Sequence, residues 1–155
     1  MLKYVVLCAL LVAGARASPT GAPAIACDAM TPSHNGTAPQ TGPAPYTLTA
    51  TAIDAQTVQV SIEADAGVTF RGFFIQGRSV DTDTAVGTFA PSADAQSIDC
   101  FSNPASASTH LDRTDKTSVS VLWTAPASGE AVNVVVSIVQ TFNVFWVKIP
   151  VTILY

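Results

Sequence analysis

Only a few residues in this 155-residue chain are of types that do chemistry, and two of them are its histidines, His34 and His110. Ser108, His110 and Asp112 follow one another at two-residue spacing and supply the types of a nucleophile, a base and an orienting carboxylate. No Gly-x-Ser-x-Gly elbow, Gly-rich phosphate loop or Cys/His zinc pattern accompanies them. His34 and His110 each lie within about ten residues of a cysteine, Cys27 and Cys100, so a bridge between those cysteines would draw the histidines together. With Asp28 or Asp112 they would form a ligand set for copper or zinc. No paired-ligand spacing supports that set, and hydrogen bonding in loops is the plainer expectation. The chain is therefore expected to be non-enzymatic, with no catalytic residues, cofactor or metal. Four bases remain as candidate ligand contacts, Arg71 and Arg78 flanking an aromatic cluster and Arg113 and Lys116 in one loop. Against that stands the ordinary reading of each as a solvated charge.

The composition leaves room for one domain with a sizeable core. Apolar residues make up 48% and charged residues 12%, about half the usual charged share. That excludes disorder and coiled coil and suits a β-sandwich surfaced with Thr, Ser and Gln. Residues 1–17 read as a secretory signal peptide: Lys3, an apolar run from Tyr4 to Val12, then Ala15-Arg16-Ala17 before a cut at Ser18. The apolar run is too short to span a bilayer. Residues 18–155 then form a single secreted domain whose net charge goes from −4 to −6 as Lys3 and Arg16 leave. Without a Lys/Arg cluster, that acidity argues against nucleic acid as a partner and against bulk attraction to anionic surfaces. Cleavage also removes Cys8, leaving Cys27 and Cys100 as an even pair expected to form one disulfide. Two free thiols or a metal pair are the alternatives.

Along the chain, Pro32, Pro39, Pro43 and Pro45 keep the first segment out of helix or central strand. It reads as an extended arm tied down by Cys27. Asn35-Gly36-Thr37 within it is a glycosylation sequon. From Tyr46 the period becomes two. Tyr46, Leu48, Ala50 and Ala52 share one face, and after a turn at Asp54 to Gln56 so do Val58, Val60 and Ile62. Phe70-Arg71-Gly72-Phe73-Phe74-Ile75-Gln76-Gly77-Arg78 is apolar on both faces and is expected to be the central strand, its aromatics filling the space between sheets. Gly72 suggests a bulge or a close backbone approach.

Ser79 to Thr117 is polar and punctuated, with strand-like pieces at Val86 to Phe89 and Ser97 to Phe101. Its aspartates lack calcium-loop spacing and read as turn formers. Alternation returns with Val119, Val121 and Trp123, then Val132, Val134, Val136 and Ile138. A final strand runs from Val147 through Ile149, Val151 and Ile153 to Tyr155, with Pro150 at an edge or bulge. The expected fold is all-β, an antiparallel sandwich of about eight strands.

An ordered set of short motifs completes the reading: Cys27, Met30-Thr31-Pro32-Ser33-His34, Pro45-Tyr46, Phe70-Arg71-Gly72-Phe73, Ile75-Gln76, Gly87-Thr88-Phe89, Cys100, Thr109-His110, Trp123-Thr124-Ala125-Pro126 and Phe145-Trp146-Val147. In these the chain resembles the reeler (reelin-type) domain, especially the small stand-alone secreted defence proteins, or nodulation factors, of insects. The resemblance implies an immunoglobulin-like β-sandwich with a Cys27–Cys100 bridge and an extracellular, non-enzymatic role. It implies innate immunity, with binding of microbial surface components and promotion of haemocyte aggregation. Other relatives sit in matrix and guidance proteins or ahead of a haem-containing ferric reductase, whose activity is not expected to carry over. The partners so implied are microbial surface polymers or, for a matrix or cell-adhesion module, extracellular proteins and glycans. The resemblance transfers no ligand residues.

Overall fold

A computed structural model describes residues 18–127 and 129–154. The expected signal peptide, residues 1–17, lies outside them. The chain forms β1 (Tyr46–Ala52), β2 (Thr57–Ala64), β3 (Gly72–Ser79), β4 (Ala85–Val86), β5 (Thr88–Phe89), β6 (Ala95–Cys100), β7 (Asn103–His110), β8 (Ser118–Thr124), β9 (Val132–Thr141), β10 (Val144–Pro150) and β11 (Thr152–Leu154), after a 3-10 turn at Ala24–Ala26. Two sheets face each other, one ordered β11-β1-β2-β8-β5 and the other β10-β9-β3-β7-β6 with β4 also on β3. All pairings are antiparallel except β1 with β11. The all-β sandwich stands, with eleven strands among the described residues where about eight are expected. The difference comes from short pieces and divided strands.

The alternating segments bury the faces their period dictates. Val119, Val121 and Trp123 point inward from β8, Val60 and Ile62 from β2, and Val134, Val136 and Ile138 from β9, around Phe70, Phe73 and Ile75. Phe70 and Phe73 are almost wholly buried, so truncating either to alanine costs about 3–5 kcal/mol.

Three details differ from the sequence reading. The expected final strand is two: β10 is an edge of one sheet, Pro150 ends it where a missing N–H is harmless, and β11 joins the other sheet. Between them the Val151 N–H donates to the Val134 carbonyl at 3.0 Å, anchoring the crossing. The Val86-to-Phe89 piece is also split between sheets, at Gly87. Gly87 has φ +71°, and a Cβ there would stand 2.5 Å from the Thr124 carbonyl oxygen, so only glycine fits. Finally, β7 forms where no strand is expected, and Ser106, Ala107, Ser108 and Thr109 on it are completely buried.

All eight residues of β3 are buried, but its aromatics divide. Phe73 enters the space between the sheets, whereas Phe74 lies in a second apolar cluster with Cys27, Met30, Ala107 and Cys100. That cluster is on the outer face of the six-stranded sheet, and the proline-rich arm covers it.

Candidate functional site

Cys27 and Cys100 are joined, with Cα atoms 5.5 Å apart. Around this staple the arm is held by polar groups from β3. Gln76 Nε2 donates to the Cys27 carbonyl at 3.0 Å. Arg78 Nη1 donates to the carbonyls of Cys27 at 3.2 Å and Asp28 at 3.1 Å, and to Gln76 Oε1 at 3.0 Å. Its other nitrogens reach Asp83, with Nε 2.8 Å from the carboxylate, and the guanidinium faces the Phe101 ring. Arg78 is 2% exposed. It is a clamp on the arm, and burial removes it from the candidate ligand contacts.

Lys116 is withdrawn in the same way. Its ammonium group, nearly buried, donates to Asp112 Oδ1 at 2.8 Å and to the Asp112 and Thr114 carbonyls and the Thr114 hydroxyl. These bonds fold residues 111–115 into a compact loop and hold the Asp112 carboxyl far below the usual carboxylate range, Thr114 assisting. The loop turns Arg113 outward, exposed and without an ion pair or hydrogen bond among the described residues. Arg71 is also exposed, its Nε 2.7 Å from Asp115.

Arg71 and Arg113 stand at a groove of about 450 Å³ between the arm and one end of the six-stranded sheet. Ile25, Ala26 and Ala29 of the arm make one side, Phe74 and Val139 belong to the sheet, and Phe142 stands in the β9–β10 turn. Both histidines line it. His34 is buried and stacked on Phe142 with ring centroids 4.3 Å apart, and its Nδ1 has no hydrogen-bond partner. His110 Nδ1 lies 3.3 Å from both the Phe73 amide nitrogen and the Phe73 carbonyl oxygen, and Nε2 lies 3.4 Å from the Ser18 carbonyl. Gly72 lets the His110 ring approach, since a Cβ there would meet Cε1 at 3.0 Å. The close approach at Gly72 is thus made by a side chain and not, as expected, by backbone.

The two histidines share a groove, but no group of three or more His, Cys, Asp or Glu able to hold a metal ion occurs among the described residues. Ser108 Oγ makes no hydrogen bond, to His110 or to anything else described, so the Ser108–His110–Asp112 set is not assembled. Asn35 is exposed, with φ 49° beside Gly36 at φ 76°, in a turn closed by Thr37 N–H to the His34 carbonyl at 2.9 Å.

Burial pushes the His110 imidazole below its ordinary value. Hydrogen bonds that the ring donates to the Phe73 and Ser18 carbonyls oppose this, nearby Lys116 reinforces it and Asp112 resists it. Burial likewise lowers His34, against a bond with the Phe142 backbone. Unfolded histidine titrates near about 6.5, so below that pH the unfolded chain binds more protons than the folded one. The histidine contribution is complete above about pH 6.5 and is lost as pH falls through the lower folded values. Melting temperature is expected to drop from about pH 7 to pH 5, with the His34→Gln/His110→Gln variant showing a flatter dependence. An identical slope in that variant would place the titration elsewhere.

Comparison with known families matches residues 25–155 to the Reeler domain. The chain belongs to the Reeler family. Among relatives of this reeler chain, "Putative defense protein 3" of Antheraea mylitta is 39% identical, over 97% of this chain and 93% of its own. "Putative defense protein" of Bombyx mori is 38% identical over 96% and 95%. "Putative ferric-chelate reductase 1" of Danio rerio is 32% identical over 79% of this chain, which spans 22% of that protein. The Reelin-N domain of F-spondin superposes with a TM-score of 0.58 at 22% identity, covering 74% of this chain and 85% of that one, which establishes a shared fold. The arm, its disulfide and the groove therefore belong to a reeler domain. No helix among the described residues is long and apolar enough to cross a membrane.

Proposed function

We propose that this reeler protein is a secreted, non-enzymatic defence protein that binds microbial surface components through the arm-and-sheet groove and promotes haemocyte aggregation. The observation that carries the reading is its end-to-end likeness to "Putative defense protein 3" of Antheraea mylitta. The groove supports it by offering one concave apolar site with cationic groups at its rim, the usual form of a small-ligand site. Net charge is −4 for the full chain and −6 once Lys3 and Arg16 leave, so bulk Coulomb attraction to anionic cell walls does not drive binding. Local apolar contact with Ile25 and Phe142 does.

The test is retention of the protein on washed Gram-positive and Gram-negative cells, beside a charge-matched β-sandwich. Enrichment over that control is expected, with an Ile25→Asp/Phe142→Asp variant retained about tenfold less, as expected for losing two apolar anchors. Equal retention of protein and control would sink the reading. Binding to animal matrix glycans alone, without transcript induction after bacterial challenge, would assign a matrix or adhesion module instead.

A further inference from the structure

The groove has two properties that together specify a ligand more narrowly than a microbial surface. Its walls are apolar, and two of its apolar residues remain uncovered: Ile25 is 91% exposed and Phe142 41%. Single exposed apolar residues are common, but apolar surface gathered at one concavity marks an interaction site. Its cationic groups are confined to one side. Arg71 and Arg113 project from the start of β3 and from the loop after β7, while the arm opposite contributes no cation to the lining. Arg113 is free among the described residues, and Asp115 engages Arg71 through Nε, leaving its two terminal nitrogens available.

We propose that the groove binds a single-chain anionic amphiphile, its acyl chain along Phe74, Val139 and Phe142 beneath Ile25 and its carboxylate or phosphate head at Arg113 and Arg71. The inference rests on reading the groove as the binding site and names the chemistry that site selects. A volume of about 450 Å³ lies toward the lower end of the roughly 300–1,000 Å³ typical of small-ligand sites. It holds one chain, whereas a diacyl lipid would need a larger cavity. The flexible part of the ligand meets apolar side chains that need no geometric match, and the charged part meets guanidinium groups able to bond an oxyanion in two places.

The experiment is calorimetric titration of the purified protein below the micelle concentration with laurate, dodecyl phosphate, dodecyl maltoside and dodecyltrimethylammonium. Saturable one-to-one binding of laurate and dodecyl phosphate is expected. The neutral and cationic amphiphiles should bind about tenfold more weakly, the worth of one charge-assisted hydrogen bond. Arg113→Glu, a change on an exposed loop, should weaken the two anions by a similar factor and leave dodecyl maltoside unmoved. Phe142→Asp should weaken all four. Laurate and dodecyl phosphate both failing to saturate, equal affinity for neutral and anionic heads, or indifference to Arg113→Glu would each overturn the proposal. Retention on bacteria is measured separately. Cells bound without laurate or dodecyl phosphate binding refute only the ligand, and laurate bound without cells refutes only the defence role.

Discussion

Replacing Cys27 and Cys100 by serine is expected to lower stability by about 4 kcal/mol, the chain entropy released when a long loop is opened. The bridge closes a sequence separation of 73 residues. In a domain of this size that corresponds to a melting temperature lower by about 10–15 °C. The loss falls unevenly. Of the arm only Ala44 packs against the inter-sheet core around Phe70, Phe73 and Trp123, whereas Phe74, Met30 and Ala107 are buried in a cluster that contains both cysteines. The variant should therefore expose the outer face of the six-stranded sheet, and with it the floor of the groove, before the sandwich itself unfolds. Urea denaturation gives the total, and dye binding to newly exposed apolar surface gives the order of events. A loss under 1 kcal/mol with no gain in dye binding would show that the arm holds without the disulfide.

The second large effect is expected at Arg78. Arg78→Met should cost about 2–3 kcal/mol, from unpaired carbonyls and imperfect filling of the site. The cost stays below that of breaking a fully buried ion pair, because the Asp83 and Asp28 carboxylates are 71% and 86% exposed and water recovers them. Cys27, by contrast, is 5% exposed, and its carbonyl then keeps only the Gln76 bond. Arg78→Lys should rescue less than half the loss, since one ammonium cannot span the Cys27, Asp28 and Asp83 carbonyls as the guanidinium fork does. Hydrogen exchange gives the location. The Met30 amide, bonded to the Ala26 carbonyl at 2.7 Å, should lose protection, while Val60 and Ile62 amides in β2 keep theirs. Uniform loss across both sheets would mean that Arg78 supports the sandwich and not the arm.

The contrast between Arg78 and Arg113 shows how far the sequence could be read. Both are arginines in polar surroundings, and both were reasonable ligand contacts by type. Arg78 is drawn inward because β3 has a second buried face on which a long cation meets the arm's carbonyls. Arg113 is pushed outward because Lys116, three residues on, takes the loop's acceptors. Neither outcome depends on local pattern, since each is set by a segment distant in sequence or by competition within a folded loop. The same reason hid β7. Asn103 to His110 has no apolar alternation, since its positions are filled by small side chains buried beneath the arm and between neighbouring strands. Burial of Ser and Ala leaves little hydrophobic signal to read.

Local pattern did determine the strands whose one face is wet and other dry, β1, β2 and β8, because a period of two has a single stable placement on a sandwich. It also determined the central place of Phe70 to Arg78 and an even cysteine pair suited to one bridge. Only the tertiary structure decided that the pair fastens a proline-rich arm across the outer face of the six-stranded sheet, and that His34, His110, Arg71 and Arg113 meet at one groove. Those four residues come from segments separated by up to 79 positions. Their meeting depends on the register and crossing of strands, a long-range property that no window of sequence contains.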